Sequence, residues 1–417
     1  MAENRVPKNA RRGGAKHYSS YPEGAISPLL AYGFRPIFIL LPGYIALSIL
    51  LWGLFWSGTI SLPFIDNPLT WHMYEMIFGV GIAGIIGFIL TAVPELYEGI
   101  RPVTGRTLLG IVGLWVLGRL AFWFMDGIGV IPVMLTHLPL LLWIIALVIK
   151  PIFKDPLRRN LSLAFNFLTI SLLQAWFFVA LAGWATHDPL AILKLGLGAF
   201  MVLVLLAIRR ISTEAINQWL DDREIDDTFI ARPPAYNIAI FGVIAFTLAE
   251  FLYPGNSVLG WLGLAAGAAI LNTLNDYFLD EVNILFRSYI LPLWLILLLM
   301  ATGYGLMGYD YLFDDFYAIN HLRHFLTTGV FGLSLFLVMV VVATIHTGRR
   351  LETNRWVDIG VGLILLATAL RTLISLFPAY TQAFYFSSSL VWSLAFILYL
   401  YRFYPWLSQP RADGLPG

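Results

Sequence analysis

WHMYEMIFGVGIAGIIGFILTAVP, residues 71–94, joins a helix-length apolar run to a His and a Glu at its mouth. A run of this length crosses the hydrocarbon of a bilayer, roughly 30 Å thick, as one α-helix. The stretch therefore reads as a transmembrane helix with a polar entrance. At helical spacing His72, Glu75 and Met76 share one face, and Gly79, Ala83 and Gly87 continue that face as a strip of small residues. Such a strip admits either of two neighbours. One is a closely packed helix, with Glu75 met by a nearby arginine. The other is a cofactor, with His72 as an axial or copper ligand and the glycines making room for a macrocycle.

Outward from this helix, the whole chain has the same character. It is 59% hydrophobic and 12% charged, with a mean hydropathy of +0.77, which leaves too little polar surface for a soluble globule of 417 residues. The net charge of +1 supplies no basic field for nucleic acid, and no nucleic-acid-binding motif is present. Cysteine is absent. That removes disulfides, thiolate haem ligation, iron–sulfur clusters and cysteine zinc sites together, so any metal must rely on His, Met, Tyr or carboxylates.

Apolar runs of spanning length are expected near 34–56, 71–93, 107–124, 127–149, 160–183, 189–211, 235–254, 257–279, 288–308, 318–345, 356–377 and 381–404. Five basic residues, Arg35, Arg119, Lys194, Arg323 and Arg371, fall inside or at the edge of these runs, and every other Lys and Arg lies on alternate connections. By the positive-inside rule both termini are then cytoplasmic. The fold class is an all-α polytopic membrane bundle of about twelve transmembrane helices in a lipid bilayer. Its parts are a cytoplasmic tail at 1–28, six helices in 29–211, a central cytoplasmic loop at 212–234, six helices in 235–404 and a cytoplasmic tail at 405–417. The first tail lacks the apolar region of a cleavable signal peptide. His17, within it, has no partner that would make it a metal site.

Arg35 opens the first span from the cytoplasmic side and is expected to anchor to lipid headgroups. The orientation places Arg119, Lys194, Arg323 and Arg371 in the outer half, at the depth of Glu75 and Glu250. Charges inside a membrane face a partner or a polar cavity, so Arg119, Arg323, Arg371, Glu75 and His72 are expected to line one shared cavity, the alternative being separate pairs that fix helix packing. His72 opens span 2, and His321 and His324 open span 10, where either could face His72. His346 lies about 33 Å further along that span and could serve only a second site. For His137 and His187 a hydrogen-bonded core or loop role is expected.

Several stretches together resemble the NnrS family of bacterial membrane proteins: GFRP at 33–36, WHMYEM at 71–76, GFILTAVP at 87–94, Gly118–Arg119, RRISTEAINQWL at 209–220, HFLTTGVFG at 324–332 and HTGR at 346–349. The resemblance runs over nearly the full chain in the family's order. It implies a multi-pass protein of the bacterial inner membrane containing haem and copper and linked to nitric oxide metabolism. It carries over to His72, Glu75, Arg119, His324 and His346. Imidazoles suit both metals, and arginines such as Arg119 and Arg371 suit haem propionates. Where the family pattern reads WHxHEM, Tyr74 stands at the second imidazole, and Gln174 stands near a point where a histidine is expected. Tyr74 stays a ligand candidate, since Tyr ligates ferric haem in catalases.

Three function classes follow. One is a haem or copper protein that binds or processes nitric oxide or another small molecule, or passes electrons, with His72 and His324 as the best-supported ligands and His321 as a substitute. The second is a cofactor-poor, non-catalytic subunit of a larger membrane complex. The third is a secondary transporter with two six-helix halves, although residues 94–106 lack the GxxxDxxGR pattern of major-facilitator carriers.

Overall fold

Hydrocarbon offers no partner to backbone N–H and C=O groups, so a chain this apolar must pair them within helices. The computed structural model, which describes residues 20–22, 24, 26–62, 65–279, 281–313 and 318–417, contains no strand among those residues. Its twelve long apolar helices are α1 Phe34–Trp56, α2 Pro68–Leu96, α3 Gly105–Trp123, α4 Val130–Phe153, α5 Leu161–Leu181, α6 Pro189–Asp221, α7 Pro233–Leu252, α8 Val258–Tyr277, α9 Leu291–Phe313, α10 Ile319–His346, α11 Arg355–Ser375 and α12 Pro378–Ser408. The chain is a multi-pass membrane bundle. His17 and most of the N-terminal tail lie outside the described residues.

One boundary differs from expectation. α6 runs about ten residues past 211 into the stretch expected as a central loop. Ser212, Ile216 and Leu220, four apart on one face, are buried, so the helix keeps its packing after it turns polar. Asn217 then closes the short connection. It donates to the Phe229 carbonyl at 3.0 Å and accepts from the Phe229 N–H at 2.8 Å.

α12 lies along α1 and α8 along α9, α4 meets α5, and α2, α6 and α10 sit at the centre. In the most apolar windows of these three, 61–72% of residues are buried, against 28–56% in the other nine. Their junction is made by shape: a Cβ on Gly81 of α2 would strike Phe200 of α6 and Phe331 of α10, whose rings cross at 90° with centroids 5.3 Å apart. α8 and α9 approach backbone to backbone, since a Cβ on Gly263 would lie 2.8 Å from the Gly308 Cα.

Two of the central helices change pitch near the same end. α2 passes through a π-helical turn at Glu75–Val80, and α10 through one at Phe325–Phe331. Each turn has a carbonyl that accepts an indole N–H, Gly79 from Trp115 at 3.0 Å and Thr328 from Trp392 at 3.2 Å. Segments of this kind frequently sit at functional sites.

Both described ends of the chain meet on one face, the near face, where Gly417 lies against Tyr21 and Tyr32. Arg35 does not anchor to lipid there. It is fully buried and donates to the carbonyls of Leu407 (2.8 Å), Gln409 (2.7 Å) and Gly417 (2.7 Å). The end of α12 leaves carbonyls without helical partners, and a guanidinium with several donors satisfies them inside the protein.

Candidate functional site

The charges inside the spans lie near the ends of odd-numbered helices (Arg119, Glu250, Arg371) and near the starts of even-numbered ones (Glu75, Lys194, Arg323). Their hydrogen bonds do not join them into one network. Sequence position fixes depth along a helix but not direction around the bundle, and the charges separate into three clusters.

In the first cluster Arg119 of α3 donates to Glu75 of α2 at 2.5 Å, with both residues buried. This is the pairing that the first reading of the small-residue strip requires, and Gly79 makes the room: a Cβ there would collide with the Arg119 guanidinium and the Glu75 carboxylate. His137 of α4 donates from Nδ1 to the Val133 carbonyl at 2.7 Å, which leaves Nε2 to accept from Arg119 at 2.5 Å. Tyr74 turns to the same side. Its ring stacks between Phe122 and Phe177, with centroids 4.0 and 4.8 Å away, and its hydroxyl accepts from Gln174 of α5 at 2.6 Å. The two positions at which the resemblance leads one to expect histidine therefore touch each other.

The second cluster joins α7 to α10. Arg323 donates through both terminal nitrogens to Glu250, which also accepts from Tyr311 at 3.2 Å. Lys194 of α6 lines a small cavity beside this pair.

The third cluster gathers the ligand candidates. His72 stacks face to face on Trp52 of α1, with centroids 4.1 Å apart and planes 6° from parallel. Its Nδ1 is buried without a hydrogen-bond partner. His324 lies within electrostatic range of His72, His321 and Arg371. His324 Nδ1 donates to the Asn320 carbonyl at 2.8 Å, which fixes the tautomer and leaves Nε2 as the available lone pair. His321 is committed elsewhere: its Nδ1 accepts from Arg371 at 2.8 Å, so in the neutral ring the proton sits on Nε2. Arg371 also lies over the Tyr385 ring, 4.5 Å from its centroid, and among the described residues no carboxylate is within ion-pairing distance of it.

Each helix that follows a central one, α3, α7 and α11, carries near its end a charge turned inward, Arg119, Glu250 and Arg371. His346 is at the near face, donating to Glu95 of α2 at 2.8 Å with its ring 5.7 Å from Phe34. His187 packs between Trp176 and Phe251. Among the described residues no three His, Asp or Glu side chains come together as a metal cluster. Gln174, Asn320 and Tyr385 are site residues that sequence reasoning did not assign a role, and His137 is more central than a bland core histidine. A polar residue at the common depth was the signal available for His137 and Gln174.

No curated protein matches the chain. The family model described as NnrS protein matches residues 28–411, which takes in all twelve helices and each of the three clusters: the chain belongs to the NnrS family.

Proposed function

We propose that the third cluster holds a haem between His72 of α2 and His324 of α10, and that the protein acts in the response to or metabolism of nitric oxide at the bacterial inner membrane, with its near face cytoplasmic. The observation that carries this reading is the buried, partnerless Nδ1 of His72. Leaving such a nitrogen unsatisfied costs about 1–3 kcal/mol, a cost that a bound ligand removes. His324 is already oriented, its Nδ1 tied to the Asn320 carbonyl in the manner of histidines that serve metals. Arg371, which among the described residues has no carboxylate within ion-pairing distance, supplies a guanidinium suited to an acidic group on the cofactor. A haem there would supply an iron able to take a diatomic gas or pass single electrons.

The donor set suits haem, which needs one or two axial imidazoles, better than a copper held by three ligands. His321, bonded to Arg371, positions that arginine. Tyr74 faces the other cluster, and His346 and Glu95 are a tie between α10 and α2 at the near face.

A second reading, a cofactor-poor subunit of a larger complex, is favoured by the Tyr74–Gln174 hydrogen bond. That pair fills with a neutral contact the place where two imidazoles are expected. An optical spectrum and metal analysis of the purified protein decide between the two. The haem reading expects a Soret band with stoichiometric iron, lost in both His72→Ala and His324→Ala. Both variants keeping full iron with unaltered bands refutes the ligand assignment. Wild-type protein without iron supports the second reading.

A further inference from the structure

The near face carries a cavity of about 520 Å³ where the connection between α10 and α11 meets the end of α12. Four arginines line it, Arg349, Arg350, Arg355 and Arg402, against the single carboxylate of Glu352. Among the described residues none of the four is in an ion pair, and Asp413 is taken in a two-pronged contact by Arg411 at 3.0 and 2.7 Å. Arg349 and Arg402 both lie against the Trp406 ring, 4.4 and 4.2 Å from its centroid. Burial and the neighbouring Arg402 cation hold the Arg349 guanidinium below its ordinary value. Tyr289, also in the wall, has its phenol pushed up to about 12 by burial and the Asp358 carboxylate, so it remains a neutral hydroxyl. Four cations against one lining carboxylate leave an excess of positive charge, which marks a place for an anion.

We propose that this cavity binds the phosphate headgroup of an anionic phospholipid from the leaflet on the terminus side. Phosphate geometry suits guanidinium forks, and basic pockets between membrane helices are where such headgroups bind. The choice of a lipid over free phosphate rests on the surroundings. Trp356, in the wall, and Tyr401 of α12 meet edge to face at 6.0 Å and are both exposed, as interfacial aromatics are. One turn deeper, Ile359 of α11 and Ile397 of α12 are exposed as well, an apolar track on which acyl chains can lie.

Native mass spectrometry of the detergent-purified full chain tests this with three probes: dioleoylphosphatidylglycerol, dioleoylphosphatidylcholine and inorganic phosphate. The phosphatidylglycerol adduct is expected to persist, with the other two lost under the same activation. Each arginine near an anionic headgroup is worth roughly fivefold in affinity, so Arg350→Gln with Arg402→Gln is expected to weaken the adduct about 25-fold. Arg350→Lys with Arg402→Lys, which keeps both charges but not the forks, is expected to weaken it less than the Gln pair does, and Arg101→Gln, an exposed cation outside the cavity, is expected to change nothing. Equal retention of the two lipids, or an unweakened adduct in the Gln double variant, overturns the proposal. Inorganic phosphate held as tightly as the lipid overturns the lipid assignment.

Discussion

Removing one member of the Glu75–Arg119 pair should cost far more than removing both. The nitrogen and oxygen are 2.5 Å apart, which corresponds to an attraction of about 7 kcal/mol at an effective dielectric of about 20. Most of that offsets the cost of taking two charges out of water. The net value of the pair is therefore small, while a lone buried charge is not. Glu75→Gln is expected to destabilise the bundle by about 3–5 kcal/mol. Arg119→Met should cost somewhat more, by about 1 kcal/mol, because it also strips His137 Nε2 of its donor. The double variant should return to within about 2 kcal/mol of wild type. Reversible unfolding by sodium dodecyl sulfate in mixed micelles, followed by circular dichroism, measures all four forms of the cycle. Single losses below about 1 kcal/mol, the level of an exposed pair, or a double loss equal to the sum of the singles, would show that the pair is not the buried, mutually dependent unit described.

Gly79→Ala should destabilise by roughly 1–3 kcal/mol, because the new Cβ meets the same ion pair, and the loss should shrink in the Glu75→Gln, Arg119→Met background when unfolding is measured there. Tyr74→Phe should cost about 1–3 kcal/mol by leaving the Gln174 amide without its acceptor, and a compensating Gln174→Leu should recover much of it in the same assay. At the near face the hydrogen bond from Arg411 holds the Asp413 carboxyl below its ordinary 3.8. A depressed folded value means that the stabilisation is complete above the ordinary value and is lost as pH falls through the folded one. Asp413→Asn should therefore lower the melting temperature at neutral pH and converge on wild type in strong acid, and a constant difference across that range would contradict it.

The twelve helices were legible because bilayer thickness sets a minimum apolar length, and each run, from Phe34 onward, met it. α6 was read short because Arg209 and Arg210 look like a membrane edge, whereas Ile216 and Leu220 carry on packing against protein beyond it. The depth of Arg119, Arg323 and Arg371 was legible for the same reason that their clustering was not: hydropathy gives position along a helix, and only packing gives direction around it. Arg35 misled because an arginine at a span edge ordinarily reaches for headgroups, and nothing local announces that the end of α12, far along the chain, will need its donors. The π turns, which re-aim everything beyond His72 and His324, have no signature in the apolar pattern. Nor did Tyr74 and Gln174, a hundred residues apart, show that they are partners.

Putting α2, α6 and α10 at the centre has an electrical consequence. α2, α6 and α10 all start at the far face, so the core presents three N-termini there, each equivalent to about half a positive charge. In the surrounding ring the odd-numbered helices run the opposite way, six against the three that run with the core, so the compensating negative ends are spread around the lipid-facing perimeter instead of sitting beside the positive ones. The bundle is thus polarised radially at its mouth, with a positive centre and a negative rim. Because this field fades within about one helical turn, it acts only on what arrives at the mouth. Whatever meets that field also meets Asp188, whose carboxylate caps the start of α6 by accepting from the Leu190 N–H at 3.0 Å.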